Sequence, residues 1–146
     1  MKIAIIGLDG MSWEHLLPYT RYLPNFKKIV LQGLKFIIKA IPPLTPPSWN
    51  NIFTGCKLQK HGIRSFIKVN SDGSYCYITS LDVKVPRLNE ILATNSLNTV
   101  TINYPFSYPI HGWYLKNHIL VYDAFLPREF IYPQELKPLL KYFKQK

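Results

Sequence analysis

Alternating strand and helix patterns predict an α/β fold with a largely parallel sheet. Residues 2–7 are almost continuously apolar, which is typical of a strand buried on both faces of a sheet. Residues 24–32 have helical apolar spacing and end at Gly33, and residues 34–41 have the composition of a second strand. We therefore expect the chain to begin with a strand–helix–strand unit, the building block of parallel sheets.

Five segments carry helix signals. Ser12 is a favoured N-cap for a short helix that ends near Leu17, and Pro86 is a favoured first residue for a later one. Pro138 is expected to end or kink the last helix. The predicted helices are residues 13–17, 24–32, 45–53, 86–94 and 133–143, with apolar faces of Phe26, Ile29 and Val30 in the second and of Leu88, Ile91 and Leu92 in the fourth.

The second half of the sequence also carries strand signals. Asp72-Gly73 is a turn signal between two short apolar runs, which predicts a β-hairpin. A region rich in proline and aromatic residues, 104–127, is expected to be irregular apart from short strands. No repeat or linker divides the sequence, so we expect residues 1–146 to belong to a single domain. The predicted later strands are residues 66–69, 75–79 and 98–103, with short ones near Tyr114 and Leu120.

The helix at residues 45–53 begins with the most informative motif of the chain, Thr45-Pro46. Thr is a favoured N-cap and Pro a favoured first helical residue, so we expect the Thr45 hydroxyl to stand at the helix N-terminus. Free backbone N–H groups and the helix dipole attract anions there, so the hydroxyl could meet a phosphate. Asn50 and Asn51, in the first turns of this helix, are expected to be surface residues.

A carboxylate, Asp9, follows the first predicted strand, and Thr45 follows the strand that ends near Ile41. Ligands of parallel α/β sheets bind beyond the carboxyl ends of the strands. We therefore expect Asp9 and Thr45 to lie at the same edge of the sheet. Taken alone, Asp9 with Gly10 is more typical of a turn after a strand than of a ligand.

These motifs together resemble the N-terminal part of the type I phosphodiesterase/nucleotide pyrophosphatase family, within the alkaline phosphatase superfamily. The order, spacing and types of the residues agree over roughly the first seventy positions, and more weakly at 85–92, 102–105 and 132–136. The segments that carry the resemblance are Ile6-Gly7-Leu8-Asp9-Gly10, Leu23-Pro24-Asn25, Gly33, Pro43-Leu44-Thr45-Pro46-Pro47-Ser48-Trp49, Thr54-Gly55 and His61-Gly62-Ile63.

The resemblance implies a three-layer, alkaline-phosphatase-like α/β/α fold, of which this chain covers the N-terminal portion. It also implies hydrolysis of a phosphoester or nucleotide-like substrate with two divalent metals, usually zinc. Carried over to this sequence, Asp9 is a metal ligand, and Thr45 is both the nucleophile and a ligand of the same metal. Zinc coordination can ionise a hydroxyl near neutral pH, which explains why a weak nucleophile suffices.

The other ligands of the family are Asp and His residues far downstream, including an Asp-His pair. No Asp of this sequence adjoins a His, and two residues cannot hold two metals. We therefore expect little or no turnover from the isolated chain. Three explanations stay open: a truncated or frameshifted remnant, a second chain that completes the site, or a protein retained for binding alone.

Substrate contacts are predicted more weakly. Pro46 follows the proposed nucleophile, where many nucleotide-cleaving members carry a Phe that stacks on the base, so nucleotide specificity is in doubt. Ser48 can donate one hydrogen bond to a phosphoryl oxygen, and Asn103-Tyr104 follows a strand and could line a pocket. His61 is not expected to bind metal, and the other late histidines, His111 and His118, are expected at the surface or in loops.

The composition is basic. Eighteen Lys and Arg residues against eight Asp and Glu give a net charge of +10, which suits an anionic partner, although a solvated surface is the favoured explanation. Nucleic-acid binding, supported by ten Tyr and eight Phe residues, is the alternative class of function. No segment has the length and apolarity of a membrane span or signal peptide. We expect a cytoplasmic protein in which Cys56 and Cys76 are reduced.

Overall fold

The computed structural model describes residues 2–110, 117–121, 125 and 130–142. The chain divides into two compact units, Met1–Lys39 and Ala40–Lys146. Short helices alternate with two small sheets, so the predicted α/β class is confirmed. Within the described ranges, no helix is long and apolar enough to cross a lipid bilayer.

The first unit consists of helices that follow the predicted boundaries closely. Helix α1 spans Trp13–Leu16, and the Ser12 hydroxyl accepts a hydrogen bond from the His15 N–H, as expected of an N-cap. A 3-10 helix, Leu17–Tyr22, and helix α2, Pro24–Gln32, follow. The Trp13 and Phe26 rings pack edge to face, with centroids 6.2 Å apart.

The two strands predicted for the first part of the chain, residues 2–7 and 34–41, are wrong. Neither segment is in a strand, and their apolar side chains are exposed: Ile3 is 76 % and Ile37 is 86 % exposed. A strand needs a hydrogen-bonded neighbour to satisfy its backbone, and the sheets within the described residues are built from later segments. Ile29 is exposed as well, so the predicted inward face of α2 is not buried.

Among the described residues of the second unit, three α-helices and two 3-10 helices are found. They are α3, Thr45–Thr54; α4, Leu58–His61; α5, Leu88–Thr94; and the 3-10 helices Ser80–Asp82 and Gln134–Tyr142. Pro138 lies inside the last of these helices and does not end it.

The predicted apolar face of α5 is wrong. Leu88 and Ile91 are exposed, whereas Asn89, Glu90 and Ala93 are buried. The Glu90 carboxylate forms an ion pair with a buried arginine, described below, and this contact lies on the covered face of the helix.

The predicted hairpin is confirmed. Strands β1, Ile67–Val69, and β2, Tyr75–Tyr77, pair antiparallel, with Lys68 opposite Cys76. At the turn, the Asp72 carboxylate accepts a hydrogen bond from the Ser74 N–H at 2.9 Å. The positive φ of Gly73, +81°, is one that a residue with a side chain rarely adopts, which explains why the turn needs a glycine here.

The second sheet has three strands: β3, Thr99–Ile102; β4, His118–Val121; and β5, Ile131–Tyr132. The pair β3–β4 is parallel and the pair β4–β5 antiparallel. The strands predicted at 98–103 and near Leu120 are therefore confirmed, whereas the one near Tyr114 lies outside the described residues. Parallel pairing among the described strands is limited to β3 and β4, which is less than the sequence led us to expect.

Two apolar clusters support these elements. The first contains Ile63, Ile78 and Phe106, and packs against Phe66 and Val83. The second joins the three-stranded sheet to the last 3-10 helix through Val121, Ile131 and Leu140. Both clusters belong to the second unit, which therefore carries the larger part of the core.

Candidate functional site at the start of helix α3

Helix α3 begins at Thr45, but Thr45 is not its N-cap. The cap is Leu44, whose carbonyl accepts the first helical hydrogen bond from the Ser48 N–H at 3.1 Å. A capping hydroxyl at Thr45 would need a donor from Pro47 or Ser48. Pro47 has no N–H, and that of Ser48 is already bonded, so Thr45 becomes the first helical residue instead. The predicted capping role is wrong by one position, and the hydroxyl still lies at the helix start.

The two prolines that follow Thr45 change what this helix end can bind. A helix N-terminus normally offers several free N–H groups, but Pro46 and Pro47 contribute none. The Thr45 N–H is thus the only main-chain donor in the first three helical positions. The predicted cradle of backbone donors for a phosphate is reduced to one N–H and the helix dipole.

The same prolines fix the backbone around Thr45. Pro46 and Pro47 are fully buried, and their ring geometry matches the φ of a first helical turn. Asn50, also fully buried, donates from Nδ2 to the Pro46 carbonyl at 2.9 Å. The expectation that Asn50 is a surface residue is therefore wrong. Thr45, which is half-buried, stands on a first turn that is held from inside the protein.

A buried histidine forms a hydrogen bond with the middle of helix α3. His61, the last residue of α4, is completely buried, and its Nε2 lies 2.8 Å from Oδ1 of Asn51. The Nδ1 atom accepts a hydrogen bond from the Ile63 N–H at 3.1 Å. Since Nδ1 accepts, Nε2 carries the proton and donates to Asn51. Burial lowers the pKa of the His61 imidazole, which favours this neutral form. Both ring nitrogens are engaged, so neither is available to a metal.

The residues predicted to contact substrate lie in different surroundings. Ser48 is half-buried in α3, and its hydroxyl donates a long hydrogen bond, 3.5 Å, to the Pro42 carbonyl. Asn103 is exposed after β3, has a positive φ of +54° and donates its N–H to the Val121 carbonyl. The Tyr104 ring is buried and stacks on Phe53 of α3 at 4.0 Å. This stacking attaches the loop after β3 to helix α3, and a substrate contact at these residues stays a prediction.

Asp9 lies in a turn of the first unit, before Gly10, whose φ is +69°. Its carboxylate is on an exposed residue. Thr45 belongs to the second unit. The role of Asp9 as a metal ligand therefore stays a prediction from the sequence.

The donors available to a metal are few. Throughout the part of the chain that the structure describes, no group of three or more His, Cys, Asp or Glu residues comes together to hold a metal ion. A catalytic zinc site usually needs three protein ligands. The described residues therefore do not by themselves fit the two-metal centre that the resemblance implies.

A buried charge cluster that the sequence did not predict lies beside the Tyr104 ring. Arg87, 1 % exposed, donates to Oε1 of Glu90 from Nε and Nη2, at 3.0 and 2.8 Å, and to the Phe106 carbonyl from Nη1 at 2.6 Å. Glu90 also accepts from the Arg87 N–H. The guanidinium carbon lies 5.8 Å from the centre of the Tyr104 ring. The signal in the sequence was an Arg and a Glu three residues apart at a helix start.

The prediction for His118 is wrong. It lies in β4, is 2 % exposed, and its Nδ1 contacts the Thr99 hydroxyl. Burial, followed by the positive charge of Arg87, lowers the pKa of the His118 imidazole to about 4. His118 and Leu120 lie two positions apart in β4 and both are buried, so their side chains share a covered face of the strand. His111 lies outside the described residues.

Comparison with known proteins gives one clear result. The family model described as Type I phosphodiesterase / nucleotide pyrophosphatase matches residues 3–145. No curated protein and no solved structure gives a significant match. The match covers nearly the whole sequence, including Asp9, the Thr45 helix and the His61-Gly62-Ile63 segment. On this evidence the chain belongs to the type I phosphodiesterase/nucleotide pyrophosphatase family.

Proposed function

We propose that the chain is a phosphodiester hydrolase whose nucleophile is the Thr45 hydroxyl. The family acts on phosphoesters and is generally metal-dependent. The observation that carries the proposal is the position of Thr45, first in a helix of ten residues whose opening turn is fixed by two buried prolines. Such a support holds an attacking oxygen in one place, which is what displacement at phosphorus requires.

In this reaction, Oγ1 of Thr45 bonds to phosphorus while the bond from phosphorus to the leaving alcohol breaks. The hydroxyl proton passes to solvent, and the leaving alkoxide takes up a proton. Water then hydrolyses the bond between Thr45 and phosphorus, which releases the monoester and restores the hydroxyl. The positive end of the α3 dipole favours the negative charge that develops on Thr45 and on the phosphoryl oxygens.

We further propose Asp9 as a metal ligand, as the family motif implies, and Ser48 as a donor to the phosphoryl group. The donor set of the described residues is too small for two zinc ions, so we expect slow turnover from this chain alone. A chain that supplies further Asp and His ligands should raise the rate. Co-expression with such a partner would test that part of the proposal.

The test is zinc-dependent cleavage of bis(4-nitrophenyl) phosphate by the purified chain. We expect slow release of nitrophenol above the rate with zinc alone, loss of that excess in Thr45→Ala, and partial recovery in Thr45→Ser. Thr54→Ala is the matched control, since Thr54 lies at the other end of α3 and donates to the Asn50 carbonyl at 2.5 Å. Full activity in Thr45→Ala would exclude this nucleophile.

The same protein samples also test the alternative function, which is nucleic-acid binding. If the chain binds DNA or RNA with strong salt dependence, shows no zinc-dependent cleavage, and behaves identically in Thr45→Ala, then the net charge of +10 serves nucleic-acid binding. That result would replace the hydrolase proposal.

A further inference from the structure

A cleft of about 410 Å³ opens beside the hairpin of the second unit. Its apolar lining comes from Ile67 and Val69 of β1 and from Ile78, which is buried just after β2. Small-molecule sites typically have volumes of roughly 300–1,000 Å³ and an apolar lining with a few placed polar groups. The volume of the cleft falls within this range, and its apolar lining combines the buried Ile78 with the exposed Ile67 and Val69.

The polar groups of the cleft carry an excess of positive charge. Arg64, Lys68 and Lys84 line it together with one carboxylate, Asp82. Lys68 forms a hydrogen-bonded ion pair with Asp82, which neutralises both. Arg64 and Lys84 form no ion pair with any carboxylate in the part of the chain that the structure describes. Two cations thus face the cleft without a counter-charge.

The backbone of Lys84 is fixed beside the cleft, and its exposed side chain lies next to Gly62. Its N–H donates to the His61 carbonyl at 3.0 Å, and its methylene chain lies across Gly62. A Cβ at Gly62 would come within 3.0 Å of Cδ of Lys84, and the φ of Gly62 is +85°. A glycine at this position therefore serves both the turn after α4 and the close approach of the lysine. Because His61 is itself buried, the lysine is attached to a fixed part of the protein.

We propose that this cleft is a binding site for a compact organic anion, with a phosphate or carboxylate group between Arg64 and Lys84 and an apolar body against Ile67, Val69 and Ile78. Charge-assisted hydrogen bonds from the guanidinium and ammonium groups would hold the anionic group. The aliphatic side chains would cover the body. Binding requires neither the Thr45 hydroxyl nor a metal, so it is independent of the hydrolysis proposed above.

The test is a titration of the full chain with phenyl phosphate and with benzoate, in the presence of a chelator, followed by the backbone NMR signals of Gly62 and Lys68. We expect saturable shifts in the millimolar range for at least one of the two anions, and none for phenol, which has the body without the charge. Inorganic phosphate should bind about tenfold more weakly than phenyl phosphate because it lacks the apolar body.

Two double variants that remove the same net charge test whether the anion binds in the cleft. Arg64→Gln with Lys84→Gln should raise the dissociation constant by about tenfold or more, because both charge-assisted contacts are lost. Lys137→Gln with Lys141→Gln removes the same net charge from exposed sites elsewhere and should change the constant by less than about twofold. The fold of each variant is checked by circular dichroism.

Three results would overturn the proposal. Equal weakening in both double variants would show non-specific attraction to a basic protein. Equal affinity for inorganic and phenyl phosphate would remove the role of the apolar lining. Loss of binding in Thr45→Ala would place the ligand at α3, whereas unchanged binding in that variant separates this site from the proposed nucleophile.

Discussion

Nε2 of His61 lies 2.8 Å from Oδ1 of Asn51, and this hydrogen bond joins the end of helix α4 to the middle of helix α3. The opposite ring nitrogen accepts the Ile63 N–H, so one buried imidazole connects three points of the chain. Thr45 stands two turns before Asn51 on the same helix. The histidine therefore helps to fix the helix that carries the proposed nucleophile.

We predict that His61→Ala lowers the free energy of unfolding by about 2–4 kcal/mol, because it leaves a cavity and an unpaired buried N–H at Ile63. Asn51→Ala should cost less. Urea unfolding of both variants and of the double variant should give a coupling energy of about 0.5–1.5 kcal/mol between the two residues. Lys60→Ala, one position earlier and exposed, is the control. Strict additivity would show that the hydrogen bond does not contribute.

The buried pair of Arg87 and Glu90 should be far more sensitive to the loss of one partner than to the loss of both. Glu90→Gln leaves an uncompensated guanidinium in the core, and we expect a loss of about 3–5 kcal/mol in unfolding free energy. Arg87→Met with Glu90→Leu should cost less than Glu90→Gln alone. Chemical denaturation gives both values.

The ion pair of Lys68 and Asp82 is the matched comparison for that experiment, because Lys68 is exposed. Lys68→Met should change stability only slightly. If breaking the exposed ion pair lowered the unfolding free energy as much as breaking the buried one, burial would not explain the sensitivity of the buried pair.

The pKa of His118, lowered from 6.5 to about 4, predicts a pH dependence of stability. The unfolded state binds a proton more readily than the folded state, so the stability is full above pH 6.5 and falls as the pH decreases towards about 4. As the pH decreases over this range, we expect the unfolding free energy of His118→Gln to fall by about 2 kcal/mol less than that of the native chain. Burial lowers the pKa of His61 in the same direction, and the comparison with the variant removes this shared contribution.

The control for the pH experiment is His15→Gln, since His15 is exposed in the first unit. This variant should keep the acid sensitivity that His118 causes. If His118→Gln has the same acid sensitivity as the native chain, then the His118 imidazole is not the group that titrates.

The exposed apolar segments of the first unit predict self-association. Ile6 and Ile37 are 79 % and 86 % exposed, within segments that contain several other exposed Ile, Leu and Phe residues. Contiguous apolar surface of this kind favours association. Ile6→Lys with Ile37→Lys should shift sedimentation towards the monomer, whereas Leu97→Lys, at an exposed leucine of the second unit, should not. A native chain that is already monomeric at high concentration would contradict this.

Elements specified by neighbouring residues could be predicted from the sequence. The hairpin follows from Asp72-Gly73, and the end of α3 from Gly55, whose φ is +64°. The predicted start of α3 at residue 45 agrees with the structure, but the N-cap is Leu44 and not Thr45. Local turn and cap chemistry thus accounts for most of the correct boundaries.

Features that depend on distant partners could not be predicted. Apolar composition suggested strands at 2–7 and 34–41, but a strand also needs a neighbour, which composition does not reveal. The burial of Arg87 depends on the Phe106 carbonyl, nineteen positions later, and that of His118 on the three-stranded sheet. For the candidate site, the sequence predicted the helix that carries Thr45 but not its attachment through His61.

The most direct test of the central claim is to identify the atom that attacks phosphorus. The full chain is incubated with zinc and bis(4-nitrophenyl) phosphate, quenched in acid and analysed by mass spectrometry of the peptide that contains Thr45. We predict a 4-nitrophenyl phosphate ester on Thr45, absent from Thr45→Ala and still formed in Thr54→Ala. An unmodified Thr45, or an adduct on another residue, would contradict it.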